Sequence, residues 1–539
     1  VGILPPKIRL TIPIETTTRV MGADPPPTIR CVDPGTKEAL GEIVVDSPAD
    51  VDAAVARAKA AQRHWRQSSF DERREILRRL MAYTVEHKDE ICLAIQRDSG
   101  KTRENALLGE IWTTCEKFRW MIKNGEKHLR PERVSSGLLL HKTARLEYHP
   151  LGVVAAITPW NYPYQNLVNP IIPALMAGNA IILKPSEWVA WSSALFIAAF
   201  REVLREAGQN PDLIQAVQGY GETGAALVRA EVDTILFIGS VKNGRRVIEG
   251  SAERVTPVVM ELGGKDAFIV CEDADLEQAV HAALAGCYVN CGQNCVASER
   301  ILVHDSLYER FEKRAAELVG AFRQGSSREG VVDVGAIITP LQLDIIEKAV
   351  DGAIAEGARL VAGGRRVLSD KGDYFEPTIL ADVTPDMRIA QDEVFGPVML
   401  LIRVQGDAHA IEVANAVSYG LSSSVFSKNR KRARRIVDAL ETGMSSINEF
   451  GGITYMAQDL TFGGVKESGF GRMNGREGLR SMCNIKAVVD DRFPIHQANK
   501  MYPVKAEQYG VFSGVIDLVY GRGLKQRWLG FLKLLGRGR

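Results

Sequence analysis

Three cysteines stand four residues apart in LAGCYVNCGQNCVASE (284–299): Cys287, Cys291 and Cys295. Thiols at this spacing admit three chemistries: thiolates gathered on one helical face for a metal, a disulfide, or one nucleophile with two passive neighbours. The paired Cys motif with a distant second half, usual for structural zinc, is not formed here, and Gly292 should end the helix before Cys295. No metal is therefore expected. Cys287 reads as a small buried hydrophobe. Cys291 reads either as a passive thiol or as a redox partner of Cys295. Glu261 precedes a Gly-Gly turn at the end of an apolar run in MELGGKD (260–266). That is a poor place for a carboxylate unless it has a partner or a task. Asn161 lies in ITPWNYP (157–163), a loop pinned by two prolines. An amide held so firmly can donate to a developing oxyanion, although a plain turn former reads equally well from this loop alone.

Two further stretches could touch a ligand. In TILFIGSVKNG (234–244) a strand ends at Gly239, and Gly244 follows where a helix should begin. Small residues at such a turn let backbone N–H groups approach a phosphate, and an ordinary strand–helix turn has the same look. LKPSE (183–187) ends another apolar run, placing Lys184 and Glu187 at the carboxyl edge of a sheet. A carboxylate there can accept both hydroxyls of a ribose and repel a 2′-phosphate; the pentapeptide alone also suits a solvated ion pair.

The elements that must position these groups are legible in outline. Ser47 and Asp50 form a capping-box pattern with Pro48 at the first helical position. Helical spacing continues over roughly 70–98 and 105–127, and LLLHKTARLEYHP (138–150) alternates like a hairpin. From 151 onward short apolar runs (152–157, 180–184, 213–217, 234–239) alternate with helical segments, and the pattern resumes after 263 with AFIV (267–270) and RILV (300–303). Strand–helix alternation predicts an α/β fold with parallel sheets covered on both faces. The 539 residues, 45% hydrophobic and 25% charged, suit two or three soluble domains that need no staples. A formal charge of +1 argues against nucleic acid. Eight scattered cysteines suggest a reducing compartment, on the cytoplasmic side.

Taken in order, PWNYP, KPSE, FIGSVKNG, ELGGK, GQNC 34 residues beyond Glu261, EVFGP (393–397) and TFGGVKESGFGR (461–472) resemble the aldehyde dehydrogenase superfamily over about residues 30–490. The Pro-containing N-terminal arm and the extension past 490 look most like a plant and fungal branch with a membrane anchor ahead of the catalytic unit. The chain begins at Val1 rather than Met, which leaves open whether such a segment stands upstream. The resemblance implies a Rossmann-like cofactor domain (31–132 and 151–262), an α/β catalytic domain (263–447) and a β-hairpin oligomerisation arm (133–150 with 481–492). An extended arm (1–30), a return to the cofactor domain (448–480) and a basic C-terminal extension (493–539) complete the expected organisation.

By the same resemblance Cys295 is the nucleophile, Asn161 and the Cys295 N–H hold the oxyanion, and Glu261 activates the water that hydrolyses a thioester. Lys184 and Glu187 match residues that hold the adenosine ribose, and Gly239, Ser240 and Gly244 match the pyrophosphate turn. Gly219 and Gly221 match the adenine side, and Glu393 and Phe395 the nicotinamide riboside. Ile157, Trp160, Ser186 and Leu262 complete the implied cofactor set. Glu187 favours NAD, with NADP open. The implied function is NAD-dependent oxidation of an aldehyde to an acid by a homodimer or homotetramer. The rival readings are an inactive scaffold of the same fold and a CoA-acylating enzyme; Glu261 speaks against the second.

Departures from the family pattern fall at Thr461, Met473 and Asn474, expected to lie away from the chemistry, and at Gln165 and Asn169, where bulky apolar residues are common. The last forty residues carry eight cations against two carboxylates. Within them LKQRWLGFLKLL (524–535) sets Leu524, Trp528, Leu532 and Leu535 along one face. That pattern fits a helix lying on an anionic membrane surface, or one packed on protein.

Overall fold

The computed structural model describes residues 27–367, 371–494 and 501–536. The arm expected over 1–30 falls, as far as residue 26, outside the described residues, as do 495–500 and 537–539 of the C-terminal extension. The chain divides into two compact units: one runs up to Glu132 and takes in Glu147–Lys486; the other comprises Arg133–Leu146 and the segment from Ala487 onward.

The first unit holds two sheets. In the first, the continuous apolar runs become parallel strands β1 (Val153–Thr158), β2 (Ala180–Pro185), β3 (Ile214–Ala216), β4 (Thr234–Ile238) and β5 (Val258–Glu261). Their near-complete burial is what strands covered on both faces require. The second sheet takes β6 (Ala267–Val270), β7 (Arg300–His304), β8 (Arg359–Ala362), β9 (Thr378–Ala381), β10 (Val398–Val404), β11 (Ser423–Phe426) and β12 (Ser446–Ile447), in the order β8-β9-β10-β7-β6-β11-β12. Only β8 runs antiparallel to its neighbour. The chain then returns to the first sheet as β13 (Gly469–Phe470), antiparallel to β5 with Gly469 opposite Glu261, giving the order β13-β5-β4-β1-β2-β3.

Two features of this path set up the site. Only residues 262–266 separate β5 from β6, so Glu261 stands where the chain leaves one sheet for the other. Cys295 lies between the helix Leu276–Tyr288 and β7, at the margin of the first core, whereas Cys287 and Cys291 belong to the core of the second sheet. The strand ends at Thr158, Pro185, Ala216, Ile238 and Glu261 all carry turns toward ligand-competent residues or the next sheet, as open parallel sheets do.

Local predictions hold in part. Ser47 caps the helix Pro48–Trp65 by accepting the Asp50 N–H at 3.3 Å, and Asp50 returns the bond to the Ser47 N–H at 2.9 Å. The single helical stretch expected over 70–98 is two helices, Phe70–Glu86 and Lys88–Ser99, broken at His87, whose φ of −103° and ψ of 16° leave helical space. No Gly or Pro announces that break. The third stretch is interrupted by a π-helical turn at Leu107–Trp112. Of the expected hairpin, Lys142–Pro150 is a strand, lying between Glu132–Val134 and Cys483–Asp491 in a three-stranded sheet.

Candidate active site

The loop that carries Cys295 is shaped by backbone conformation. After the helix Leu276–Tyr288, three successive residues take positive φ: Asn290 at 55°, Cys291 at 55° and Gly292 at 68°. A left-handed run of this kind costs energy at non-glycine residues and persists only where surroundings hold it. Here Asn290 donates through Nδ2 to the carbonyls of Asn161 and Gln293, both at 2.9 Å. Gln293 donates to the carbonyls of Asn290 (3.1 Å) and Ala336 (3.2 Å) and accepts the Ile338 N–H at 3.1 Å. Gly292 has no freedom to be anything else: a Cβ there would overlap the carbonyl of Gly396. The three thiols therefore do not share a helical face. Cys287 sits in the helix and donates to the Ser298 carbonyl at 2.8 Å; Cys291 is buried in the left-handed turn, away from the cavity wall.

Cys295 alone of the three faces the cavity, a cleft of about 410 Å³. Asn161, Glu261, Glu393, Trp160 and Phe395 share its walls. Asn161 is positioned from both ends: its Oδ1 accepts from Asn166 at 3.1 Å and its Nδ2 donates to the Gln293 carbonyl at 3.3 Å. An amide nitrogen has two hydrogens, so one N–H remains for a ligand oxygen. Glu261 is fully buried, and its Oε1 has no hydrogen-bond partner among the described residues. Burial pushes its carboxyl up to about 7, against the opposing pull of the Cys295 thiol and the Gly263 N–H. Burial likewise pushes the Cys295 thiol well above its ordinary range, and the neighbouring Glu261 and Glu393 carboxyls add to it. The resting pair is thus a neutral thiol beside a carboxyl poised near neutrality, able to take that proton.

The cofactor-type residues stand at consecutive strand ends of the first sheet. Ile157 and Lys184 are the penultimate residues of β1 and β2; Ser186 and Glu187 follow β2; Gly219 and Gly221 follow β3; Gly239 and Ser240 follow β4; Leu262 follows β5. Lys184 is buried and lies 3.8 Å from the half-exposed Glu187, whose Oε2 accepts from Ser186 Oγ at 3.1 Å. Ser240 caps the helix Val241–Ala252 by accepting the Asn243 N–H at 3.4 Å, so the positive end of that helix opens at the strand edge. Gly244 lies inside this helix, where a Cβ would come within 2.5 Å of Leu262. Its bareness lets helix and strand end pack closely. Trp160 and Phe395 meet edge to face at 5.3 Å. A carboxylate for ribose hydroxyls, a helix N-terminus for a pyrophosphate and a second buried carboxyl at Glu393 fit a dinucleotide.

Three supports were not visible in the motifs. Glu299, four residues past the nucleophile, is buried with Lys265, which donates to it. Its carboxylate also accepts the N–H groups of Val394 and Phe395, each at 3.0 Å, and so holds the EVFGP loop in place. Under the Trp160–Asn161 loop, Lys101 and Glu110 form a completely buried ion pair at 2.6 Å. Glu110 accepts the N–H of Tyr164 (2.7 Å) and Gln165 (3.2 Å), while the Lys101 ammonium sits 3.7 Å over the Tyr162 ring. Glu110 interrupts the apolar run LLGEIW, which was the available signal. Third, the buried Lys117 donates to Asn169 and Asn474, the latter at 2.6 Å. Two departures expected to lie away from the chemistry are corrected here: Met473 lines the cavity, and Asn474 anchors the ammonium behind Asn169. The cause is the return of β13 to the first sheet, which brings this segment against the cleft.

The chain matches the model of the aldehyde dehydrogenase family over residues 21–488. It is 38% identical to an aldehyde dehydrogenase-like protein of Schizosaccharomyces pombe, over 92% of this chain and 96% of that one. It is 35% identical to the 4,4′-diapolycopene aldehyde oxidase of a Methylomonas species, over 92% of each. The solved structure of betaine aldehyde dehydrogenase from Staphylococcus aureus in complex with NAD+ is similar at a TM-score of 0.82 and 32% identity, covering 88% of this chain and 93% of that one.

Two outcomes follow from the geometry. Gly292→Ala should abolish activity or folding, read by turnover and by the thermal transition, because a methyl group has no room beside Gly396. Lys101→Met, which strands the Glu110 carboxylate, should destabilise by about 3–5 kcal/mol in a denaturant titration. The double variant Lys101→Met/Glu110→Gln keeps an acceptor for the Tyr164 N–H and should recover part of that loss.

Proposed function

Since the chain belongs to the aldehyde dehydrogenase family, we propose that it oxidises an apolar aldehyde to its carboxylic acid with NAD, through a thioester on Cys295 that water hydrolyses. The observation that carries this reading is the pairing of one cavity-facing thiol with a buried carboxyl near neutrality, beside an amide with a free N–H.

Glu261 accepts the Cys295 proton, and the thiolate attacks the aldehyde carbon. The oxyanion of the resulting thiohemiacetal is held by Asn161 Nδ2 and the Cys295 N–H. NAD, when bound, supplies the acceptor for the hydride that leaves this carbon. Lys184 and Glu187 would hold its adenosine ribose, the N-terminus of the helix Val241–Ala252 its pyrophosphate, and Glu393, Trp160 and Phe395 its nicotinamide riboside. Once the proton taken from Cys295 has passed from Glu261 to solvent, the carboxylate takes a proton from water as the water attacks the thioester; the acid departs and Glu261 returns that proton to the leaving thiolate, regenerating the thiol. The Glu187 carboxylate disfavours a 2′-phosphate, which is the reason to write NAD before NADP.

The apolar character of the substrate follows from how the cleft uses its polar groups. Gln165 donates to Tyr455, Asn166 to Asn161, and Asn169 accepts from Lys117, so these side chains satisfy one another. The rest of the lining includes the exposed Leu108 and Ile453 and the more buried Met456, Phe462 and Met473. The relative named for a carotenoid aldehyde is in keeping with such a wall.

The protein works as a homo-oligomer. The strand Cys483–Asp491 is the edge of its three-stranded sheet and bares Ile485 (54%) and Val489 (58%), an unprotected edge that a second copy can cover.

NADH formation across aldehydes of increasing chain length tests the reading, with long apolar aldehydes expected to give the highest kcat/KM. Cys295→Ala should lower turnover by about 10³-fold or more, and an unchanged rate would overturn the mechanism. Added CoA should yield no acyl-CoA. Because the Glu261 carboxyl must be ionised to accept a proton, the rate should fall about tenfold per pH unit below about 7. Sedimentation velocity of Ile485→Asp/Val489→Asp should show a smaller species than the unaltered chain.

A further inference from the structure

The C-terminal segment forms an αα-hairpin of its own. Helix α1 (Gln508–Tyr520) and helix α2 (Leu524–Leu534) pack on each other, joined by a turn with Gly521 and Gly523. Gly514 and Gly530 form the crossing: a Cβ on Gly514 would lie 2.9 Å from the Gly530 carbonyl, and one on Gly530 2.7 Å from the Gly514 carbonyl. The one carboxylate of the pair of helices, Asp517, is taken by Lys533 at 2.8 Å and by Gln526 at 2.9 Å.

With its glycines turned inward, the hairpin is left with apolar surface outside. On the second helix Leu524, Trp528, Phe531 and Leu535 recur at helical spacing and are 88, 60, 40 and 54% exposed. Phe531, rather than the half-buried Leu532 expected from the sequence, completes this stripe. On the first helix Tyr509, Phe512, Ile516 and Tyr520 form a second stripe, 83, 54, 58 and 67% exposed. Arg522, Lys525 and Arg527 flank the turn with no carboxylate partner among the described residues. The helices are about 20 and 17 Å long, short of the roughly 30 Å of a bilayer core. Among the described residues no helix is long and apolar enough to cross a membrane.

We propose that this hairpin is a docking element for an anionic lipid bilayer, lying in the headgroup region with its aromatic and aliphatic stripes in the acyl boundary. Charge decides the occupant. A surface of Leu, Trp, Phe and Tyr rimmed by three unpaired cations at the turn complements a negatively charged interface, where Trp and Tyr are at home. A second copy of the same hairpin would bring those cations against their own kind. Docking there would hold the enzyme at the surface into which apolar aldehydes partition, which rests on the proposed substrate class; the lipid contact itself does not.

Flotation of the full chain with phosphatidylcholine vesicles, with and without 30% phosphatidylserine, tests the proposal. The chain should float with the anionic vesicles, about tenfold less with neutral ones, and lose most binding at about 0.5 M salt. Leu524→Glu/Trp528→Glu/Phe531→Glu and, separately, Lys525→Glu/Arg527→Glu should each abolish flotation while NADH formation from a water-soluble aldehyde stays unchanged, which shows the fold intact. Flotation retained by both variants, or absent from the unaltered chain, overturns the proposal. So does a change of oligomeric state in the apolar variant without vesicle binding by the parent, which would give the face to a second copy. Loss of aldehyde oxidation in the unaltered chain would instead count against the proposed function and leave the flotation result standing.

Discussion

Withdrawal of charge from water around one thiol is the constraint on which the rest depends. Cys295, Glu261 and Glu393 share a cleft whose walls take water away from all three; both carboxyls raise the proton affinity of the thiol, and Glu261 raises that of Glu393. Left alone, such a cluster would stay protonated and inert. It is useful because the desolvation is graded. Glu261 is pushed only to about 7, since the thiol and a backbone N–H oppose the burial, whereas Glu393 is pushed well above its ordinary range with Glu299 adding to the effect. Two carboxyls in one cleft are thereby raised against different neighbours, and the one whose rise is opposed by the thiol is the one beside Cys295.

Holding that arrangement requires further buried charge beneath it. Lys265–Glu299 fixes the EVFGP loop and Lys101–Glu110 fixes the loop carrying Asn161. Buried pairs are a weak source of stability, but their geometry is directional where apolar packing is not. Each of these carboxylates accepts two backbone N–H groups in addition to its ammonium, so each ties a loop to a fixed point. The cost of desolvation is met by bonds whose other end is the catalytic loop.

How much of this could be read from the chain differs by level. The parallel strands were legible because runs such as AIILK and TILFI are apolar on both faces, and Cys295, Glu261 and Asn161 because each sits beside Gly or Pro in a short motif. The break at His87 was not, since its cause is tertiary packing with no local breaker. The left-handed run at Asn290–Cys291–Gly292 was visible only at the glycine; Asn290 is held by its neighbour Gln293 and by Asn161 and Asn105, the last two contacts far away in sequence. Lys101, Glu110 and Glu299 carry no motif, and their role exists only once the loops they bind are folded over them. Met473 and Asn474 look like variable residues after a glycine motif until β13 pairs with β5, which sets Met473 at the cleft and Asn474 against the Lys117 ammonium.

The contact between Gly292 and Gly396 has a consequence for how such a chain can vary. Two loops separated by about a hundred residues, one delivering the thiol and the other bearing Phe395, touch backbone to backbone with no side chain between them. Backbone contacts have no rotamers to absorb a change. A substitution that shifts the EVFGP loop must therefore shift the nucleophile as well, and effects measured in the two loops will not add. The placement of Phe395 and that of Cys295 are in this sense one trait: variants selected for one will carry changes in the other, and separating them requires alterations outside both loops.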